Sequence, residues 1–169
     1  MLEKFQKTLS KRAVFKGIGL HSGSICTIKV LPAQENEGIV FKRVDLKEKN
    51  LVRANFNNVS SAKLCTTLEN SYGVKVSTVE HLLAAFYIIG IDNALVEIDS
   101  EEVPIMDGSS KDFLNTLRKI DLVDQTKKRK YLKIINKIEL VDGKRKISIE
   151  PNTNSLEVNF KLNYDNKII

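Results

Sequence analysis

Apolar and polar residues alternate with a period of two over most of this chain, and the spacing lengthens to that of a helix in two places. Lys7 to Lys16 predicts a first strand, and Cys26, Ile28 and Val30, interleaved with Thr27 and Lys29, predict another with one buried face. The connection Gly17-Ile18-Gly19-Leu20-His21-Ser22-Gly23 is a glycine-rich loop that carries a histidine. No helical pattern follows it, which excludes a dinucleotide-binding fingerprint. Ile39-Val40-Phe41, Leu64 to Leu68 and Asn93 to Ile98 predict further strands, and Leu51 to Ala54 an edge strand.

The first helix is predicted in Ser77-Thr78-Val79-Glu80-His81-Leu82-Leu83-Ala84-Ala85-Phe86, running to about Ile89 and stopped by Gly90. Val79, Leu82, Leu83 and Phe86 stand at i, i+3, i+4 and i+7 and form one apolar stripe. Ala84, Ala85 and Ile88 extend the apolar character, so both faces are expected to be covered. Ser77 and Glu80 have capping-box spacing. The second helix follows Pro104-Ile105-Met106-Asp107-Gly108-Ser109-Ser110, with Ser109 or Ser110 as N-cap and Phe113, Leu114 and Leu117 on one face, ending before Asp121.

Glu80 and His81 place a carboxylate beside an imidazole at the start of a largely buried helix, where polar groups are costly unless they have a purpose. The residues alone leave two readings open. Glu80 is a capping acid and His81 a hydrogen-bonded histidine, or Glu80 is a general base beside a metal-ligating His81. Neighbours on a helix point about 100° apart, so the second reading requires a site just off the helix N-terminus. His21, the only other histidine, reads most simply as a turn residue packed against the sheet.

Composition narrows the class. An apolar content of 42% and a charged content of 28% describe a globular domain. The net charge of +6 is spread along the chain and suits an anionic small substrate such as a nucleotide diphosphate. Lys127-Lys128-Arg129-Lys130 is the one dense basic run; without interleaved aromatics it predicts a linker and no nucleic-acid partner. Cys26 and Cys65 have neither zinc-ribbon nor disulfide-framework spacing. No signal peptide and no apolar run of about 18 residues is present, so a cytoplasmic chain with no transmembrane segment is expected.

Beyond the basic run the pattern is that of hairpins: Tyr131 to Val141, an Asp142-Gly143 turn, Arg145 to Glu150, then Leu156 to Leu162. Three such strands need a covering layer. The expected organisation is an α+β domain over 1–126, a two-layer sheet-plus-helix sandwich carrying the Glu-His pair. A linker at 127–130 and, over 131–169, the first strands of a second similar domain, truncated after Ile169, complete it. Uncovered strands in 131–169 would favour self-association.

Taken together, the glycine-rich loop at 17–23, Leu64-Cys65-Thr66-Thr67-Leu68, Ser77 to Leu82, Gly90-Ile91-Asp92-Asn93 and Pro104 to Ser109 resemble the zinc-dependent UDP-3-O-acyl-N-acetylglucosamine deacetylases of lipid A biosynthesis. The resemblance covers essentially the whole chain but only about the first half of the family's length. It implies two similar domains with the active site between them, in a Gram-negative bacterium. By resemblance, His81 is a Zn2+ ligand and Glu80 the base for the water that attacks the acetamide of a UDP-linked acylated N-acetylglucosamine. Lys63, Cys65 and Thr66 would lie near the acyl-chain passage, and Tyr164 would take the place of a uracil-stacking aromatic. The family's other two zinc ligands, a His and an Asp, and its acidic His belong to the second domain, and no histidine follows His81 here. The chain is thus expected to be half an active site and inactive alone. Two other readings are a self-contained metal site from His21, Cys65, Glu80 and His81, and a non-catalytic binding or interaction module that kept the fold.

Overall fold

The computed structural model describes residues 4–153 and 156–162. The chain divides into two compact units, Met1–Arg129 and Lys130–Ile169. In the first, β1 (Phe5–Leu9), β2 (Ala13–Ile18), β3 (Ile25–Pro32), β4 (Ile39–Arg43) and β5 (Leu51–Arg53) are followed by a short 3-10 turn (Phe56–Asn58). Then come β6 (Val59–Ser61), β7 (Thr67–Glu69), β8 (Lys75–Val76), α1 (Glu80–Ile89), β9 (Ala94–Ile98), α2 (Lys111–Leu117) and β10 (Leu122–Lys128). The main sheet has the order β2-β3-β9-β4-β5, with β4 and β9 parallel and the other pairs antiparallel. Smaller sheets join β6-β7-β8 and β1-β10.

Register explains which side chains form the core. Ala13, Val30, Val96, Phe41 and Val52 stand in one row across the five strands, and Phe15, Ile28 and Ile98 in the next. All eight are buried and share one cluster with Leu82, Phe86, Phe113 and Leu117 from the helices. Phe15 meets Phe113 edge-on at 5.0 Å between ring centroids. Each large apolar side chain so covered stabilises the fold by about 1.5–3 kcal/mol. Unit 1 is thus an α+β sandwich of helices on a sheet.

Several expectations are corrected in detail. The predicted strand 7–16 is two strands, β1 and β2, broken at Ser10–Arg12, because β1 pairs with β10 while β2 pairs with β3. The predicted strand 64–68 is mostly loop, and only Thr67 and Leu68 enter β7. Leu64 is exposed with φ 71°. Lys127 and Lys128, read as linker, are the last residues of β10, and Arg129 binds Asp92 (2.7 Å) and the Gly90 carbonyl (2.8 Å). Gly90 stops α1 in the left-handed conformation (φ 91°), as its sequence position predicts.

The Gly90–Asn93 segment is structural. Asn93 is buried; its side-chain amide donates to Gln6 (2.9 Å) and Gln125 (2.7 Å), and its side-chain oxygen accepts from the Gly38 N–H (2.8 Å). These bonds tie β1 and β10 to the start of β9 with every polar atom of the amide partnered, as burial requires.

In unit 2, β11 (Ile138–Asp142) and β12 (Arg145–Ile149) pair as an antiparallel hairpin. Asp142 pairs with Arg145, so the turn is Gly143-Lys144, with Gly143 at φ 57°. Residues 131–137 and 156–162 are not strands, contrary to expectation. The hairpin exposes Ile138, Leu140, Val141, Ile147 and Ile149.

Candidate active-site face at the start of the first helix

The helix carrying the Glu-His pair begins differently from its predicted capping box. The Ser77 N–H donates to the Glu101 carbonyl (2.8 Å) and the Val103 N–H to the Ser77 carbonyl (3.1 Å), so Ser77 is in a parallel bridge beside Glu102. The chain then reverses at Thr78, a buried residue in the left-handed region (φ 56°), and the helix starts at Glu80 with Val79 as N-cap and no side-chain cap. Freed from Ser77, the Glu80 carboxylate accepts the Thr66 N–H at 3.1 Å, while the Val79 N–H reaches the Thr66 carbonyl at 3.4 Å. Only one face of α1 is covered: Leu82, Ala85 and Phe86 are buried, but Ala84, Tyr87 and Ile88 are exposed.

The surrounding loops are tied to this start by specific bonds. The Ser110 hydroxyl donates to the His81 carbonyl (2.9 Å) instead of capping α2, whose Lys111 N–H is taken by the Ser109 hydroxyl (3.1 Å). The Ile105 N–H binds the Ile18 carbonyl (3.0 Å), and Gly17 packs against Pro104 and Met106. The residue that joins most of these segments is Glu102, 2% exposed. Its carboxylate accepts from the N–H of His21 (3.0 Å), the N–H of Ser22 (2.7 Å) and the hydroxyl of Thr78 (3.0 Å). Burial opposes its ionisation, but the donors from His21, Ser22 and Thr78 outweigh that and hold its pKa below the ordinary glutamate value. Gly19 is required by this packing, since a Cβ there would overlap the Ser22 hydroxyl and the Glu102 carboxylate.

Of the residues singled out in sequence, Glu80 and Thr66 are in direct contact, and His81 follows Glu80 at the half-buried start of α1. Cys65 is half-buried, its thiol 3.8 Å from the Thr67 hydroxyl. Lys63 is exposed, and among the described residues no ion pair joins it to Glu80. The His21 side chain is exposed, and its backbone N–H reaches the helix start through Glu102 and Thr78. Tyr164 lies outside the described residues. Cys26 is buried in the sheet, where burial and the neighbouring Asp99 push its thiol up to about 12. It is inert in that state.

Among the described residues no three His, Cys, Asp or Glu side chains gather closely enough to hold a metal ion. That overturns the self-contained site from His21, Cys65, Glu80 and His81, all four of which are described. A catalytic zinc takes three protein ligands, and the donor set among the described residues does not by itself fit one. Glu102 is not among the residues singled out in sequence, where Thr78 is only part of the helix-start stretch and Ser110 only an N-cap candidate. Glu102 stands in an acidic pair, and such residues are ordinarily exposed, so only its burial distinguishes it.

The sequence profile of the LpxC family, UDP-3-O-acyl N-acetylglycosamine deacetylase, matches residues 6–169. The chain belongs to this family. It is 39% identical over 160 residues to the UDP-3-O-acyl-N-acetylglucosamine deacetylase of Shewanella baltica, covering 95% of this chain and 52% of that protein. The namesake from Shewanella frigidimarina is 40% identical over 161 residues, with the same coverage. That from Shewanella oneidensis is 39% identical over 160 residues. The chain therefore spans about half the length of the curated relatives it matches. No helix among its described residues is long and apolar enough to cross a membrane.

Proposed function

We propose that this chain supplies one face of a deacetylase active site that hydrolyses the acetamide of a UDP-linked, 3-O-acylated N-acetylglucosamine to the free amine and acetate. The observation that carries the reading is the Thr66–Glu80 bond at the start of α1. It fixes one carboxylate oxygen, while the other accepts no hydrogen bond among the described residues. An oriented carboxylate with one free oxygen, at the rim of a fold rather than in its core, is what a proton acceptor requires. In this role Glu80 takes the proton of the water that attacks the acetamide carbonyl.

His81 is then one ligand of the metal, zinc by the family resemblance, with the remaining ligands provided by sequence matching the other half of the relatives. Zinc polarises a carbonyl and lowers the pKa of a bound water when a complete ligand set holds it. Lys63, Cys65, Thr66 and Tyr164 are proposed to contact the substrate, the first three on the 61–67 loop beside Glu80. A cytoplasmic location follows from a soluble nucleotide-sugar substrate.

Acetate release from the UDP-linked sugar tests the reading. The 169-residue chain with added zinc should release none above background, and the same chain joined to the remaining half of a relative should be active. Activity of the chain alone would contradict a shared site, and an inactive joined protein would contradict the deacetylase reading.

A further inference from the structure

We propose that Glu102 is a positioning residue that sets Glu80 and His81 against the histidine-bearing loop at 17–23; as a contribution to catalysis, this rests on the deacetylase reading above. Glu102 is almost wholly buried, and its two oxygens serve two segments distant in sequence. Oε1 accepts both the Thr78 hydroxyl (3.0 Å) and the His21 N–H (3.0 Å), while Oε2 accepts the Ser22 N–H (2.7 Å) and a longer contact from the His21 N–H (3.2 Å). Thr78 is held in the left-handed conformation, which is strained for a β-branched residue and persists only where its surroundings impose it. The bond to Glu102 is the constraint at its side chain. Two residues later the chain reaches Glu80, so the direction in which α1 leaves the sheet depends on Thr78.

Main-chain bonds on either side leave Thr78 as the point of choice. Ser77 is pinned to Glu101 and Val103, and Val79 to Thr66. If Thr78 relaxes, the first turn of α1 rotates while the sheet and the body of the helix stay in place. The Thr66 N–H reports that rotation, because it is bonded to the Glu80 carboxylate and has no contact of its own with Glu102. A carboxamide at position 102 keeps the size of the side chain but turns one acceptor into a donor facing the N–H groups of the loop. A purely structural acid would loosen the start of α1 and the sheet alike; a positioning acid loosens the start of α1 by more than its loss weakens the fold as a whole.

The test is amide hydrogen exchange on the 169-residue chain carrying Glu102→Gln, with Thr78→Val as a second variant that removes only the hydroxyl. Thr78→Ser, which keeps the hydroxyl, serves as the conservative control. Exchange at Thr66 should quicken about tenfold or more in Glu102→Gln and Thr78→Val, with the sheet amides of Val30 and Val96 quickening clearly less and Thr78→Ser close to the parent. The double variant should be no worse at Thr66 than the worse single variant, since both act through one contact. Equal acceleration at Thr66, Val30 and Val96 would overturn the inference in favour of global destabilisation, and no change at Thr66 would overturn it outright. In the joined, full-length protein Glu102→Gln should lower kcat roughly tenfold or more with KM within about twofold. A parent inactive in that assay would count against the deacetylase reading alone, because exchange at Thr66 decides the positioning role without turnover.

Discussion

The Thr66 N–H donates to the Glu80 carboxylate at 3.1 Å, across 14 residues of sequence. The bond joins the loop after β6 to the first turn of α1 and replaces the reach back to Ser77 that the local pattern predicts. It gives Glu80 an orientation independent of helix capping. Loss of the carboxylate should therefore cost α1 little: Glu80→Gln is expected to lower the urea midpoint of the 169-residue chain by the equivalent of about 1 kcal/mol or less. A loss of several kcal/mol would mean that Glu80 is a structural acid.

Gly19 is expected to tolerate no side chain. Gly19→Ala places a Cβ against the Ser22 hydroxyl, which is exposed, and against the buried Glu102 carboxylate, which cannot shift without straining its bonds to His21 and Ser22. Overpacking of this kind costs about 1–3 kcal/mol, read as a lower urea midpoint. Gly108→Ala, at a position where a Cβ meets nothing but φ is 81°, separates backbone strain from overlap.

The acid limb of stability should carry the signature of Glu102. Its folded pKa lies below the value it has in the unfolded chain, so its ionised form stabilises the fold fully above about pH 4.3. That contribution disappears as pH falls through the folded pKa. Urea midpoints between about pH 6 and about pH 3 should drop more steeply for the parent than for Glu102→Gln, which is weaker at neutral pH but has no proton to take up there. Parallel pH profiles would contradict the assignment.

The features legible in sequence were those written in local spacing. The stripe of Val79, Leu82 and Phe86 located α1, Gly90 located its end, and Asp142-Gly143 located the hairpin to within one residue. Lys7 to Lys16 reads as one strand only if the three polar residues Ser10-Lys11-Arg12 are passed over; they mark the point where the chain leaves one sheet for another. Ser77 was misread for the opposite reason. A Ser three residues before a Glu is a capping signal only if nothing else competes for its backbone, and here Glu101 and Val103, more than 20 residues away, take both groups. Glu102 was illegible altogether, since its three donors come from residues 21, 22 and 78. Four of the five family motifs lie in segments that meet at the start of α1, whereas Gly90–Asn93 closes its other end.

Unit 2 should be cleaved before unit 1. Two-stranded hairpins are marginal in isolation, and β11–β12 leaves its apolar residues exposed. Lys128 pairs with Phe5 and the Lys127 N–H is held by Glu35 (3.2 Å), so trypsin should cut first at Lys130 or beyond and leave a core that retains β10. Resistance of the whole chain as a monomer would show that 131–153 is covered in solution, and resistance only as a dimer would assign the cover to a second copy.

The most direct measurement is acetate release from the UDP-linked acylated N-acetylglucosamine by this chain joined to the remaining half of a relative, with Glu80→Gln compared against the parent. The account predicts that the parent turns over and that Glu80→Gln loses about 10²–10⁴-fold in kcat while keeping the parent's melting temperature and metal content. A Glu80→Gln protein as active as the parent would contradict it, leaving Glu80 as the hydrogen-bond partner of Thr66 and nothing more.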